Sequence, residues 1–184
     1  MKSVFYEKAA DEKNYIYYID FPDMDSVKYK FFGTHIHKSI EMVFVYRGKM
    51  SYTVNETKGV LNAGEILLIN SYDSHSYEYI DNAGAFIFVF SLDLLDDVLK
   101  DHNQEFNNHI YLSNSLFEEF YNYLKESYRS LDNYNLLERK AFVLKLFGYL
   151  MKCNLYRPKV YIPNKAISAN IMGYIEEHFA EDID

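Results

Sequence analysis

Three histidines and one glutamate carry the chemistry of this chain. They are His35, His37, Glu41 and His75, and core packing has no reason to produce their spacing. The first segment reads His35-Ile36-His37-Lys38-Ser39-Ile40-Glu41, followed later by Gly48; the second runs Gly64 to Asn70 and is followed by His75. In an extended strand, residues two apart face the same side. His35 and His37 therefore aim together, and Glu41 joins them if its strand keeps that parity or crosses a short bend. His75 must come from a neighbouring strand. Three imidazoles and a carboxylate suit a divalent transition metal and leave coordination positions open for water or substrate. The same four residues also suit the polar lining of a ligand pocket that holds no metal. The first reading makes the chain an enzyme and the second a sensor.

No other constellation competes with this one. Cys153 is the single cysteine, no Gly-x-Ser-x-Gly is present, and no glycine-rich phosphate loop follows a strand. His102, His109 and His178 lie outside the pattern and read as hydrogen-bonded or solvated side chains. Tyr29, Phe31, Phe44, Tyr52, Tyr77 and Phe88 read as core, with some of them lining the cavity. The pairs Asp96-Asp97, Glu118-Glu119 and Glu176-Glu177 read as solvated helix faces.

The elements that must position the four residues are short strands. Tyr15 to Asp20, Val27 to Phe32, Glu41 to Tyr46, Met50 to Asn55, Glu65 to Asn70, Ser76 to Ile80 and Ala85 to Ser91 are rich in Tyr, Val, Ile and Phe. Breakers separate them at Pro22-Asp23, Arg47-Gly48-Lys49, Asn62-Ala63-Gly64 and Asp81 to Gly84. The Arg47-Gly48-Lys49 step predicts a tight hairpin, with Gly48 at positive φ. Short strands between turn signals predict an antiparallel sandwich or barrel.

Helices follow. Leu92 to Lys100 predicts one or two helical turns, and Ile110 to Leu112 a last short strand. Ser115-x-x-Glu118 predicts a capping box that opens a helix, and Asn135-x-x-Glu138 a second one running to about Leu155. The second helix carries two apolar stripes: Leu137, Ala141, Leu144, Gly148 and Met151 on one side, Val143, Leu146, Phe147 and Leu150 on the other. Two stripes on one helix imply two surfaces to cover. Pro158 and Pro163 bracket an extended linker. Asn164 to Phe179 is again helical, with Ile167, Ile171, Tyr174 and Ile175 on one side.

At 184 residues and 49% hydrophobic, the chain can bury one full core. Aromatic residues make up 18% of it, which suits a β-rich binding domain. The net charge is −8, and Lys and Arg form no cluster, so these residues by themselves are a poor nucleic-acid binder. One cysteine allows no disulfide framework. No apolar run approaches the roughly 18 residues a membrane span needs, and Met1 to Ala10 lacks a signal pattern. The expectation is a cytoplasmic protein without a membrane partner.

His35, His37, Glu41 and Gly48 match the core of the first cupin motif, His-x-His-x3-Glu-x6-Gly. Gly64 and His75 match the second, which typically reads Gly-x5-Pro-x-Gly-x2-His-x3-Asn. Here Asn70 stands for its Pro, Tyr72 for its Gly and Tyr79 for its Asn. With two helices, a linker and the ending Tyr174-Ile-Glu-Glu-His-Phe-Ala-Glu-Asp-Ile-Asp184, the chain resembles an AraC/XylS-type transcription regulator. The resemblance implies a mainly β protein with C-terminal helices, a cupin-type antiparallel β-barrel (jelly roll) followed by two or three α-helices. It implies an effector-binding barrel over residues 1–112, a helical dimerisation segment over 113–156 and a linker over 157–163. Residues 164–184 would be the first helix of a DNA-binding domain cut short. It further implies a small-molecule effector held by His35, His37, Glu41 and His75. A homodimer would be seamed along Leu137, Ala141, Leu144, Gly148 and Met151, and DNA contacted only through the absent domain. On this reading the chain is no enzyme and requires no cofactor. The alternative is a small metal-dependent cupin enzyme, an oxygenase or isomerase, with the same four residues holding a divalent metal ion. These inferences from architecture are analogy at the level of fold.

Overall fold

The computed structural model describes residues 5–6, 15–21, 31–99, 104–159 and 163–178. Tyr29, His102, the middle of the expected linker and the chain after His178 lie outside the described residues. Among the described residues ten strands and three α-helices follow in order: β1 Phe5–Tyr6, β2 Ile16–Phe21, β3 Phe31–Ile36, β4 Ile40–Val54, β5 Thr57–Asn62, β6 Glu65–Ile69, β7 His75–Phe90, β8 Gln104–Phe106, β9 His109–Tyr111, α1 Asn114–Ser127, α2 Leu136–Leu150, β10 Tyr156–Pro158 and α3 Pro163–His178. Eight strands form one sheet in the order β1-β3-β7-β4-β6-β9, with β2 on β7 and β5 on β4. Every pairing is antiparallel except β1 with β3. β8 and β10 form a separate antiparallel ribbon. The protein is mainly β with C-terminal helices, a cupin-type barrel.

Two sequence expectations fail at the same place. Arg47-Gly48-Lys49 is not a hairpin, because β4 runs unbroken for 15 residues from Ile40 to Val54. Asp81 to Gly84 does not break the chain either, because β7 runs for 16 residues from His75 to Phe90. The two long strands pair along their length, with register shifts between Val45 and Met50. Gly48 takes φ +67° there, in a β-bulge rather than a turn. The tight turn lies at Asn55 and Glu56 between β4 and β5, where Asn55 takes φ +53°.

The bulge explains the core. Before it, Val43 and Val45 face the barrel interior, while Met42 and Phe44 face the helices. Beyond it the even residues Met50, Tyr52 and Val54 join the interior. The register shifts between Val45 and Met50 exchange the faces of β4, as a period of two requires when the stretch spans an odd number of residues. The interior is completed by Leu61, Leu67, Ile69, Tyr77, Tyr79 and Ile87. On the other side, Phe86, Phe88 and Phe90 pack with Phe120, Leu124, Phe142, Leu146, Phe147 and Leu150, gluing α1 and α2 to the sheet. Phe44 meets Phe120 edge to face at 5.0 Å.

The helix caps are only partly as expected. Asn135 and Glu138 form the reciprocal capping box of α2. α1 is capped two residues earlier than Ser115: the Ser113 side chain accepts from the Leu116 N–H, and Ser115 is already helical. α2 ends at Leu150, short of the expected Leu155, and the chain turns there to enter β10.

Candidate functional site

The structure brings His35, His37, Glu41 and His75 together inside the barrel. His35 and His37 stand at the end of β3 and just beyond it, Glu41 opens β4 and His75 opens β7. All four are buried, with 1–4% of their surface exposed. Each offers a ligand-type atom, and these atoms lie within 4.8 Å of one another. Glu41 Oε2 is 3.1 Å from His37 Nε2, 3.4 Å from His75 Nε2 and 3.9 Å from His35 Nε2.

The outer nitrogens decide what the inner ones can do. His35 Nδ1 lies 2.8 Å from the Gly33 carbonyl, His37 Nδ1 3.0 Å from that of Ser39, and His75 Nδ1 2.8 Å from that of Asp73. A carbonyl oxygen only accepts, so we assign the proton of each ring to Nδ1, where it donates. In the neutral imidazoles every Nε2 then presents a lone pair to the centre. Glu41 presents a carboxylate to the same point. His37 Nε2 lies 3.1 Å from Glu41 Oε2, the distance of a hydrogen bond that one proton between them would make. His75 Nε2 and Glu41 Oε1 remain buried without a hydrogen-bond partner. Four electron-pair donors converge on a space that one proton does not satisfy.

That arrangement fits a metal ion. Imidazoles that donate Nδ1–H to backbone carbonyls and turn Nε2 inward show the outer-shell pattern of metal-binding histidines. Ligand atoms about 3.0–3.4 Å apart surround an ion at bond lengths of about 2.1 Å; Glu41 lies at such distances from His37 and His75, 3.1 and 3.4 Å, and His35 at 3.9 Å would move inward. These residues could hold a divalent ion.

Charge balance in the metal-free cluster follows from burial and its opponents. Burial works against the Glu41 charge, but the pull of His75 and of the facing His35 and His37 imidazoles outweighs it and holds the carboxyl well below its usual range. Burial pushes the His75 imidazole down, against the pull of Glu41.

Other candidate residues fall elsewhere. Phe44 and Phe88 face the helices, whereas Tyr52 and Tyr77 face the barrel interior. His109 lies outside the quartet, bonded through Nε2 to Glu65 at 2.9 Å and through Nδ1 to the Tyr52 hydroxyl at 3.2 Å. His178 stacks beside Tyr174. Along α2, Leu137, Ala141, Leu144, Gly148 and Met151 share one exposed face, and Leu137 has 76% of its surface open. Val143, Leu146, Phe147 and Leu150, the other stripe, are buried on the barrel.

Sequence reasoning missed the loop that carries His75. Tyr72, which replaces the glycine of the second motif, takes φ +60°, a left-handed conformation that side chains rarely adopt. Its N–H donates to the His37 carbonyl at 2.9 Å. Asp73, 1% exposed, accepts from the Asn55 side chain at 3.0 Å. The departures from the motif were visible in the sequence, but their partners were not.

Known proteins resemble this one over most of its length. HTH-type transcriptional activator RhaS of Salmonella schwarzengrund (strain CVM19633) is 23% identical over 165 residues, covering 83% of this chain and 58% of RhaS. RhaS of Enterobacter sp. (strain 638) is 22% identical over 165 residues with the same coverage, 83% and 58%. The chain thus spans somewhat more than half the length of these relatives. Among solved structures, the AraC-like transcriptional activator CuxR shares the fold at a TM-score of 0.50 and 16% identity, covering 80% of this chain and 54% of CuxR. The model of the AraC-like ligand binding domain matches residues 25–145, more than half of the chain, and the protein belongs to that family.

Proposed function

We propose that this chain is the effector-sensing and dimerisation part of a bacterial AraC-type transcription regulator. The observation that carries the reading is a quartet of polar, ligand-type side chains converging inside a barrel of the AraC-like ligand-binding family. His35, His37, Glu41 and His75 anchor a small-molecule effector. A ligand that binds two global states unequally shifts the balance between them, and so changes how a dimer presents its DNA-contacting parts. Support for the dimer is the exposed apolar face of α2, where Leu137, Leu144 and Met151 are 76%, 44% and 54% exposed. The barrel occupies residues 1–112, the pairing segment 113–156 and the linker 157–163. Residues 164–184 open the DNA-contacting domain. The exposed apolar stripe of α3, Ile167, Ile171, Tyr174 and Ile175, supports that assignment. With a net charge of −8, these residues leave the grip on DNA phosphates to another domain. The setting is the cytoplasm, and among the described residues no helix is long and apolar enough to cross a membrane.

The convergence of the four ligand atoms also favours a second reading, a metal-dependent cupin enzyme. There His35, His37, Glu41 and His75 would hold a divalent ion, which when bound supplies Lewis-acid chemistry at its open positions. The chain's own contribution would be to fix the three imidazoles through Gly33, Ser39 and Asp73 and to exclude water with the apolar interior.

Thermal shift against a metabolite panel, run with and without Mn2+, Zn2+ and Co2+, tests the preferred reading. A true effector raises Tm by mass action and is recovered unchanged. A compound consumed by the metal-loaded protein decides for the enzyme. A panel spanning sugars, small carboxylates and aromatics that moves Tm nowhere rules out sensing by this barrel.

A further inference from the structure

Asn70 continues the β6–β9 pairing past the end of β6, beyond the bond from the Leu68 N–H to the Asn108 carbonyl, and carries it by its side chain to β8. Its side-chain N–H donates to the Phe106 carbonyl at 3.0 Å, and its Oδ1 accepts the Phe106 N–H at 2.8 Å. Both bonds are buried, and Asn70 is 5% exposed. A side-chain amide paired to both polar groups of one residue mimics a strand neighbour. Phe106 closes β8, which among the described residues pairs with β10 alone, with Phe106 opposite Tyr156.

On its other side Asn70 is tied into the quartet. The Asn70 N–H lies 3.3 Å from Asp73 Oδ2, and the Asn70 carbonyl accepts the Asp73 N–H at 2.9 Å. The Asp73 carbonyl accepts from His75 Nδ1 at 2.8 Å, and the Tyr72 N–H reaches the His37 carbonyl at 2.9 Å. The loop from Asn70 to His75 therefore moves with two of the four site residues. Left-handed Tyr72 holds it in a conformation that only the surrounding bonds sustain.

The β8–β10 ribbon is equally well tied on its far side. Arg157 reaches buried Glu105 through Nε and Nη2, both at 3.0 Å. Phe106 stacks on Tyr156 at 5.7 Å, and the Asn107 N–H donates to the Leu155 carbonyl at 2.8 Å. β10 ends at Pro158, and α3 starts at Pro163.

We infer that Asn70 is a positioning residue that couples occupancy of the His35–His37–Glu41–His75 site to the β8–β10 ribbon and so to the segment entering α3. The inference rests on reading that site as sensory. It accounts for a motif departure that otherwise has no purpose. A proline at position 70 would offer neither side-chain bond to Phe106 and no N–H to Asp73. Here the second-motif turn has been given an outward grip. A change at Glu41 or His75 shifts Asp73 and Asn70, and the paired amide passes the shift to Phe106.

Contiguity alone does not demonstrate coupling; a double-mutant cycle does. The experiment is amide hydrogen exchange at Glu105, Tyr156 and Arg157 in wild type, Glu41→Gln, Asn70→Ala and the double variant, with no effector or metal needed. Glu41→Gln should raise exchange in the ribbon by about tenfold, and this increment should vanish in the Asn70→Ala background. A merely structural Asn70 would raise ribbon exchange on its own and leave the Glu41→Gln increment intact, which overturns the inference. No response of the ribbon to Glu41→Gln overturns it as well. Should Asn70→Ala not fold, Asn70→Ser carries the same cycle. Because no ligand enters the measurement, a silent metabolite panel would count against the sensory reading and leave this result standing.

Discussion

Glu41 and His75 lie at opposite ends of the β4–β7 ribbon, yet their side chains approach to 3.4 Å. Glu41 pairs with Val89 and His75 with Val54. Thirteen residues of straight strand would separate them by about 43 Å. The ribbon closes this gap by folding over at its register shifts, where Gly48 and Gly84 face each other's strands. The site is therefore a consequence of the bend, and the bend depends on residues far from the chemistry.

Gly48 should tolerate no side chain. A Cβ there would run into the Asp81 carbonyl oxygen and approach the Ala83 nitrogen to 2.7 Å, both of them backbone atoms, and its φ of +67° disfavours any L side chain. Gly48→Ala should cost about 2–4 kcal/mol, from left-handed strain and displaced backbone together. Urea unfolding reads the loss directly. A midpoint equal to wild type would mean that the bulge is soft and does not set the approach of Glu41 to His75.

Glycine marks both turns and bulges, and this ambiguity limits what the sequence discloses. Arg47-Gly48-Lys49 carries the signature of a hairpin, but whether the chain reverses or only kinks depends on β7, more than thirty positions away. His35, His37 and Glu41 were legible because they fall close together in the sequence around the step from β3 to β4, whereas His75 was reached only through the match to the second motif. Ser113 and Ser115 are both plausible caps, and the strand ending at Tyr111 selects the first. The Asn70 grip on Phe106 spans 36 positions and left no periodic trace.

Acid should weaken the metal-free protein through the quartet. The folded-state pKa of Glu41 lies well below its ordinary value of 4.5, so its stabilisation is present above that value and lost as pH falls. The His75 pKa is lowered from 6.5, so below that pH the unfolded chain takes up a proton that the folded one resists. In both cases the unfolded state binds more protons, and stability rises with pH. We expect a plateau above about pH 7 and a decline below it, with a slope of up to about 1.4 kcal/mol per pH unit for each proton taken up on unfolding. Glu41→Gln should flatten the part of the acid limb that begins below about pH 4.5. Chemical denaturation at half-unit pH steps would show it, and a slope of opposite sign between pH 5 and 7 would contradict the assignment.

The caps give a local test with a control beside it. Asn135→Ala removes the side chain that accepts from the Glu138 N–H and breaks the reciprocal box, at a cost of about 1 kcal/mol. Ser113→Ala should cost a similar amount, because its hydroxyl caps Leu116 at 3.4 Å. Ser115→Ala, inside α1, should stay within about 0.5 kcal/mol of wild type. Equal losses at Ser113 and Ser115 would place the helix start later than Asn114.

Opposite faces of α2 should respond in opposite ways. Leu144 is 44% exposed and Leu146 is fully buried. Leu146→Ala empties core volume beside Phe147 and Phe142, and a cavity of that kind costs about 2–5 kcal/mol while leaving an α2-mediated dimer, where enough folded chain remains, in the same register. Leu144→Glu touches no core. Its monomer should unfold within about 0.5 kcal/mol of wild type, but a carboxylate now sits in the middle of the proposed seam, with Leu137 and Ala141 on one side and Gly148 and Met151 on the other. Burying that charge twice in a symmetric interface costs its desolvation on both subunits, so association should weaken by at least about a hundredfold. Sedimentation at matched concentrations separates the two effects. A Leu144→Glu protein that still sediments as a dimer would move the seam off α2 altogether.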